Sequence, residues 1–188
     1  MKLKDKISEY VFKRAIGQPR AGRQIISLGK AKSIGILYDA TQFHQEKVIL
    51  EFAEQMRQQG KSVVTFGYIN KKKVPPEFKS SVSNSYLSRS DLNWYGIPKR
   101  SAYALIANES FDVLINMYLW HCIPLLIISA ASKAKFRIGR YFADATSCFD
   151  FMYLILSLLW FVWMYNSMAA LRKEGSASSR SACLMSHL

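Results

Sequence analysis

"SIGILYDATQFHQEKVILEFAEQMRQQGKSVVTFGYI", residues 33–69, is the stretch on which the fold is decided. Ile34, Ile36 and Leu37, with Gly35 among them, make a short apolar strand that closes in Tyr38-Asp39-Ala40-Thr41. From about residue 42 to 59 the period changes. Ile49, Phe52, Ala53 and Met56 fall at i, i+3, i+4 and i+7, one face of a helix, and Gly60 supplies its stop. "KSVVTFGYI", residues 61–69, is a second strand, rich in β-branched and aromatic side chains. Strand, helix and strand in so short a span form a βαβ unit, so the sheet is expected to be parallel with a right-handed crossover.

The same reading extends outward. "KKKVPPEF" (71–78) is barred from regular structure by its two prolines, and "SSVSNS" (80–85) is loop-like. "SYLSRSDLNWYGIP" (85–98) offers a short edge strand, and "SAYALIANES" (101–110) a helix. "FDVLINM" (111–117) is a third strand, "IPLLIISAASKA" (123–134) a helix and "KFRIGRYF" (135–142) a fourth strand. The order predicts an α/β fold, a Rossmann-like three-layer sandwich around a mostly parallel sheet. Residues 113–132 are uncharged, as a membrane span would be. Asn116, His121 and Pro124 interrupt them where a bilayer penalises polar groups and a strand-turn-helix needs them, so the stretch reads as core.

Two ends remain. Residues 1–20 read as a basic amphipathic helix, with Leu3, Ile7 and Tyr10 or Val11 on one face, stopped by Gly17 and Pro19. Charge is interleaved throughout "MKLKDKISEYVFKRAIG", so no secretory signal is read there. At the other end, residues 151–171, "FMYLILSLLWFVWMYNSMAAL", carry no charge. Twenty-one helical residues would span roughly 31 Å, close to the hydrocarbon thickness of a bilayer. The expected organisation is therefore the basic helix (1–20), the α/β domain (21–152), a transmembrane helix (153–171) and a disordered tail (172–188). A reading-frame change near codon 153 is the alternative origin of that apolar run and of the patternless "EGSASSRSACLMSHL" after it.

Charge points to partners. The chain carries a formal +13, and residues 1–32 hold nine Lys or Arg against Asp5 and Glu9. Such a block attracts phosphate, on anionic lipid or on nucleic acid; with no nucleic-acid-binding motif beside it, the membrane surface is the expected partner. The expected location is the membrane, with the N-terminal domain in the cytoplasm; the alternative is a cytoplasmic protein. Three cysteines without CxxC spacing read as reduced thiols, and scattered His44, His121 and His187 suggest no metal site. No motif implies a cofactor.

Ligands of doubly wound sheets sit beyond the carboxyl ends of the strands, which nominates Asp39, Thr41, Asn70 and Asn116, with Arg140 on the fourth strand. The bland account of Asp39 and Thr41 is capping of the next helix. Asp39-Ala40-Thr41 lacks the second aspartate of an aspartate-based phosphotransferase, and no GxGxxG, P-loop or GxSxG is present. Trp94, Tyr95 and the Lys99-Arg100 pair offer a cradle for a sugar or phosphate, or packing over a sheet edge.

"GILYDAT", "GYINKK", "LNWYGIP", "FDVLIN", "SKAKFRIGRY" and "FDFM" resemble, in order and spacing, an uncharacterised family of short bacterial proteins of unknown function, over residues 1–152. Residues 111–141 are also similar to the acceptor-side strand-helix-strand of heptosyltransferase-type glycosyltransferases. Those enzymes have two such domains, so this likeness implies half of a scaffold that needs a partner for donor binding. The expected function is a non-catalytic binding or scaffold protein at the cytoplasmic membrane surface, with partner-dependent envelope glycosyl transfer as the alternative.

Overall fold

The computed structural model describes residues 3–16, 22–41 and 43–154. Within them β1 (Ser33–Asp39), β2 (Ser62–Ile69), β3 (Asn84–Ser88), β4 (Val113–Met117), β5 (Phe136–Arg140) and β6 (Phe151–Tyr153) form one sheet. Its order is β3-β2-β1-β4-β5-β6, and every neighbouring pair is parallel. This is the order of the dinucleotide-binding α/β fold: two halves that run outward in opposite directions from β1 and β4. The expected α/β class and parallel sheet are therefore observed.

Helices α1 (Leu3–Ile16), α2 (Phe43–Gln58), α3 (Ala104–Asn108) and α4 (Ile123–Ala131) cover the sheet. Strand alternation sends neighbouring residues to opposite faces. Tyr38, Gly67 and Tyr86 lie in register, and Tyr86 donates its hydroxyl hydrogen to Glu46 of α2. One residue out of phase, Leu37, Phe66 and Leu114 join a core with Phe12 of α1, Ile106 of α3 and Leu125–Ile128 of α4. So α2 covers one face, and α1, α3 and α4 the other. The helical spacing read for α2 holds: Ile49, Phe52, Ala53 and Met56 are all buried, and Gly60 ends the turn at φ +80°.

The uncharged stretch 113–132 resolves into β4, a turn and α4. Pro124 sits in the first turn of α4, where its missing N–H costs nothing. At the far end of α4, the buried Arg137 of β5 donates to the carbonyls of Ala130 and Ser132. That satisfies acceptors the helix leaves open.

The α1 face holds in its Val11 form and not its Tyr10 form, and the C-terminal boundary needs correction. On α1 the buried side chains are Ser8 and Phe12, with Ile7 and Val11 half-buried, whereas Tyr10 is 65 % exposed. The i, i+4 pair at 8 and 12 sets the face, and a serine within it hides the stripe from a count of apolar residues. At the C-terminus, the domain runs to Tyr153 rather than 152, because Phe151–Tyr153 pairs with β5 as a sixth strand. The apolar run therefore opens as a strand and not as a helix. From residue 155 the expected transmembrane helix and the tail over 172–188 lie outside the described residues. Among the described residues no helix is long and apolar enough to cross a membrane.

Asp112 fastens the amino ends of three strands. Its Oδ2 accepts the N–H groups of Lys32 and Ser33 at 2.9 and 3.3 Å, and its Oδ1 takes Lys135 Nζ at 2.7 Å. The Lys135 hydrogen bond, then that from Lys32, holds the Asp112 carboxyl below the usual carboxylate range. A depressed folded-state pKa contributes stability that is complete above the unfolded value, about 4, and is lost as pH falls through the folded one. Asp112→Asn should flatten the acid limb of stability below about pH 4, measured by urea unfolding across pH.

Gly139 answers to a close approach: a Cβ there would lie 2.4 Å from the ring of Phe149, which is buried. Gly139→Ala should cost about 2 kcal/mol through overpacking, read as a lower urea midpoint at unchanged slope.

Candidate functional site

The registers put the carboxyl ends of four strands at nearly one level. Asp39 stands opposite Tyr68, Ile69 opposite Ser88, and Met117 opposite Tyr38. The segments leaving β1, β2, β3 and β4 consequently share one rim, with the reversal of strand order between β1 and β4. Ligands of this fold sit at such a rim.

Three of the five sequence-nominated residues meet there. Asp39 Oδ1 accepts the Thr41 N–H at 2.9 Å, closing a tight turn, while Ala40 N–H donates to Tyr68 O at 2.8 Å. Thr41 Oγ1 accepts the Asn70 N–H at 3.0 Å, and the Tyr68 hydroxyl donates to Asn70 Oδ1 at 3.4 Å. Thr41 thus stitches the exits of β1 and β2 together through its hydroxyl. The other two nominees stand apart. Asn116 is fully buried, its Nδ2 donating to Ile138 O at 3.0 Å, so it braces β4 against β5. Arg140 ends β5, two strands from β1, with its guanidinium 5.3 Å above the Phe142 ring.

The rim also carries residues that sequence reasoning left aside. Lys71, Lys72 and Lys73 follow β2 after Asn70, and all are exposed. Arg89, the first residue past β3, is exposed too, and its N–H donates to Lys71 O at 2.9 Å. Among the described residues these four cations make no ion pair. The signal for them was present as a lysine triplet straight after a strand.

The basic block at 1–32, by contrast, is no single face. Lys13 pairs with Glu9 at 2.7 Å and Arg23 with Asp150 at 2.5 Å. Lys30 and Lys32 precede β1, at the opposite end of the sheet.

Two titratable groups near the rim, Cys122 and Tyr68, are held neutral. Burial pushes the Cys122 thiol up to about 12 and the Tyr68 hydroxyl up to about 12, so both keep their protons at neutral pH. A protonated thiol is a poor nucleophile. Past β4 and β5, His121 Nε2 lies 2.9 Å from Asp144 Oδ2, and the imidazole meets Phe12 and Phe142 edge-on. Tyr95 packs on the core while Trp94 stays 65 % exposed, and Lys99 Nζ donates to Ser90 O at 3.0 Å; the Trp94–Arg100 segment therefore forms no closed cradle. A groove of about 480 Å³ lies away from the rim, between α2 and the segment leading into β3, lined in part by Glu46, Leu50, Glu77 and Tyr86. Among the described residues, no group of His, Cys, Asp and Glu is arranged to hold a metal ion.

Thr41→Val should remove the acceptor of the Asn70 N–H, costing about 1 kcal/mol and raising hydrogen exchange at that amide, while the Asp112 end of the sheet stays protected.

Comparison with curated proteins finds no match, and comparison with solved structures finds none. The similarity to glycosyltransferases is accordingly not shown. Residues 4–154 match the model of a family of unknown function (DUF6913), which covers the whole described sheet, and the chain belongs to that family.

Proposed function

We propose that this protein is a non-catalytic binding or scaffold protein working at the cytoplasmic surface of a membrane, where its rim engages phosphate-bearing headgroups. One observation carries the reading: Lys71, Lys72, Lys73 and Arg89 stand exposed at the end of the sheet where this fold takes its ligands. Their charges are not spent on ion pairs among the described residues. Thr41 and Asn70 beside them form a braced, polar stretch of the rim, with Asp39 holding the turn through the Thr41 N–H. Basic residues near an anionic surface contribute about 1 kcal/mol each.

The strand order supports a second reading, half of a two-domain glycosyltransferase scaffold that gains its donor site from a partner. Calorimetric titration with nucleotide-sugars separates the two, since a membrane scaffold releases no heat with them.

The main test is co-sedimentation of the full chain with phosphatidylglycerol and with phosphatidylcholine vesicles. The anionic vesicles should bind it more tightly, with steep loss on adding salt. Replacing Lys71, Lys72 and Lys73 together by Glu should weaken that binding on the order of a hundredfold. Equal binding of both vesicle types, or a triple variant that binds like the parent, would sink the proposal.

A further inference from the structure

Both described tryptophans are exposed, Trp94 by 65 % and Trp120 by 67 %, and both stand on segments that leave the rim. A side chain of this size ordinarily finds burial. Neither belongs to a loose segment. Residues 92–98 form a hairpin in which Asn93 and Ile97 exchange backbone and side-chain hydrogen bonds at 2.9 and 3.0 Å, and Leu92 bridges Pro98. Gly96 turns the hairpin at φ +87°, and Ile97 and Tyr95 anchor it in the core. The Trp120 segment is held by the buried Tyr118 on one side and by the His121–Asp144 contact on the other. Each indole is thus displayed from a braced turn.

Their positions relative to the cations are informative. Trp94 follows β3 and Trp120 follows β4, while Lys71–Lys73 follow β2, between them in the sheet order. With strands about 4.8 Å apart, β3 and β4 are separated by roughly 14 Å. Stacking platforms for single-stranded nucleic acid set successive aromatics along one groove. Exposed indoles on the exits of strands three positions apart, with the strand that feeds the lysines between them, instead match the interfacial layer of a bilayer. There tryptophan rings sit at headgroup level and lysines meet phosphate.

We infer that the rim docks on an anionic bilayer by placing the Trp94 and Trp120 indoles in the headgroup layer on either side of Lys71–Lys73. This rests on the membrane-surface reading above and adds an orientation: the carboxyl ends of the strands face the lipid. It also gives the binding an apolar part that salt does not remove.

The test uses the full chain and its Trp94→Phe/Trp120→Phe variant, whose urea unfolding should match the parent. The difference between their emission spectra isolates these two indoles from Trp160 and Trp163. With phosphatidylglycerol vesicles the difference emission should shift to the blue, and lipids brominated near the headgroup should quench most of it. Trp94→Ala and Trp120→Ala should each weaken binding to anionic vesicles on the order of tenfold. If vesicles bind in a Lys71–Lys73-dependent way while the difference emission stays that of a water-exposed indole, insertion is overturned and the electrostatic reading stands. Absence of vesicle binding overturns both. Quenching by a single-stranded RNA oligonucleotide but not by vesicles overturns it in favour of a nucleic-acid surface.

Discussion

Strand β1 is hydrogen-bonded to a parallel neighbour on each side, β2 through seven register pairs and β4 through five, and the rest of the domain follows from that pairing. A strand so placed has no free edge, and with helices over both faces it must be apolar on both. Ile34, Ile36, Leu37 and Tyr38 are all fully buried. Parallel neighbours also forbid hairpins, so every connection returns across a face of the sheet. Some connections use helices, α2 between β1 and β2 and α4 between β4 and β5; others use loops and short turns. The consequence for function is geometric. All strands end on one side, and their exits gather into a single rim.

Much of this was legible because it obeys short-range periodicity. The α2 stripe, the β-branched run of β2 and the apolar block of β4 each announce themselves in the chain. Strand β6 did not, since three residues are too few to show alternation and they merge into an uncharged run. Tyr153 reveals its role only in three dimensions, where its hydroxyl donates to Asn116 O at 2.7 Å. The site was legible in the same uneven way. Asp39, Thr41 and Asn70 follow from the rule that strand ends bind ligands. Asn116 satisfies the same rule by position, yet it lies within β4, where a polar side chain serves the sheet. Lys71–Lys73 are harder to read, because they lie in a proline-broken loop outside the dense N-terminal block and charge density does not say which end of a sheet a residue reaches.

The distribution of engaged cations separates the two ends of the sheet. At the amino ends, Lys135 is held by Asp112, Lys61 Nζ donates to the carbonyls of Gly29 and Ala31, and Arg57 reaches Val63 O and Asn84. Arg23 closes on Asp150, which also accepts the Arg137 N–H at 2.8 Å just ahead of β6. Lys135 and Arg23 are offset by the carboxylates they meet, whereas Lys61 and Arg57 keep their charge while satisfying neutral oxygens.

At the rim the balance is reversed. Asp39 is turned onto its own backbone, Asp91 accepts from Ser88 at 2.8 Å, and Asp144 is matched by His121. Asp39 and Asp91 accept from neutral donors and keep their charge, and among the described residues no carboxylate pairs with the exposed Lys71–Lys73 or Arg89. A surface field is the sum of what remains after such local cancellation. Burial keeps Cys122 and Tyr68 protonated, so neither offers an anionic nucleophile at neutral pH. The headgroup docking proposed above asks only for exposed positive charge and donor groups, because it binds phosphate without transforming it.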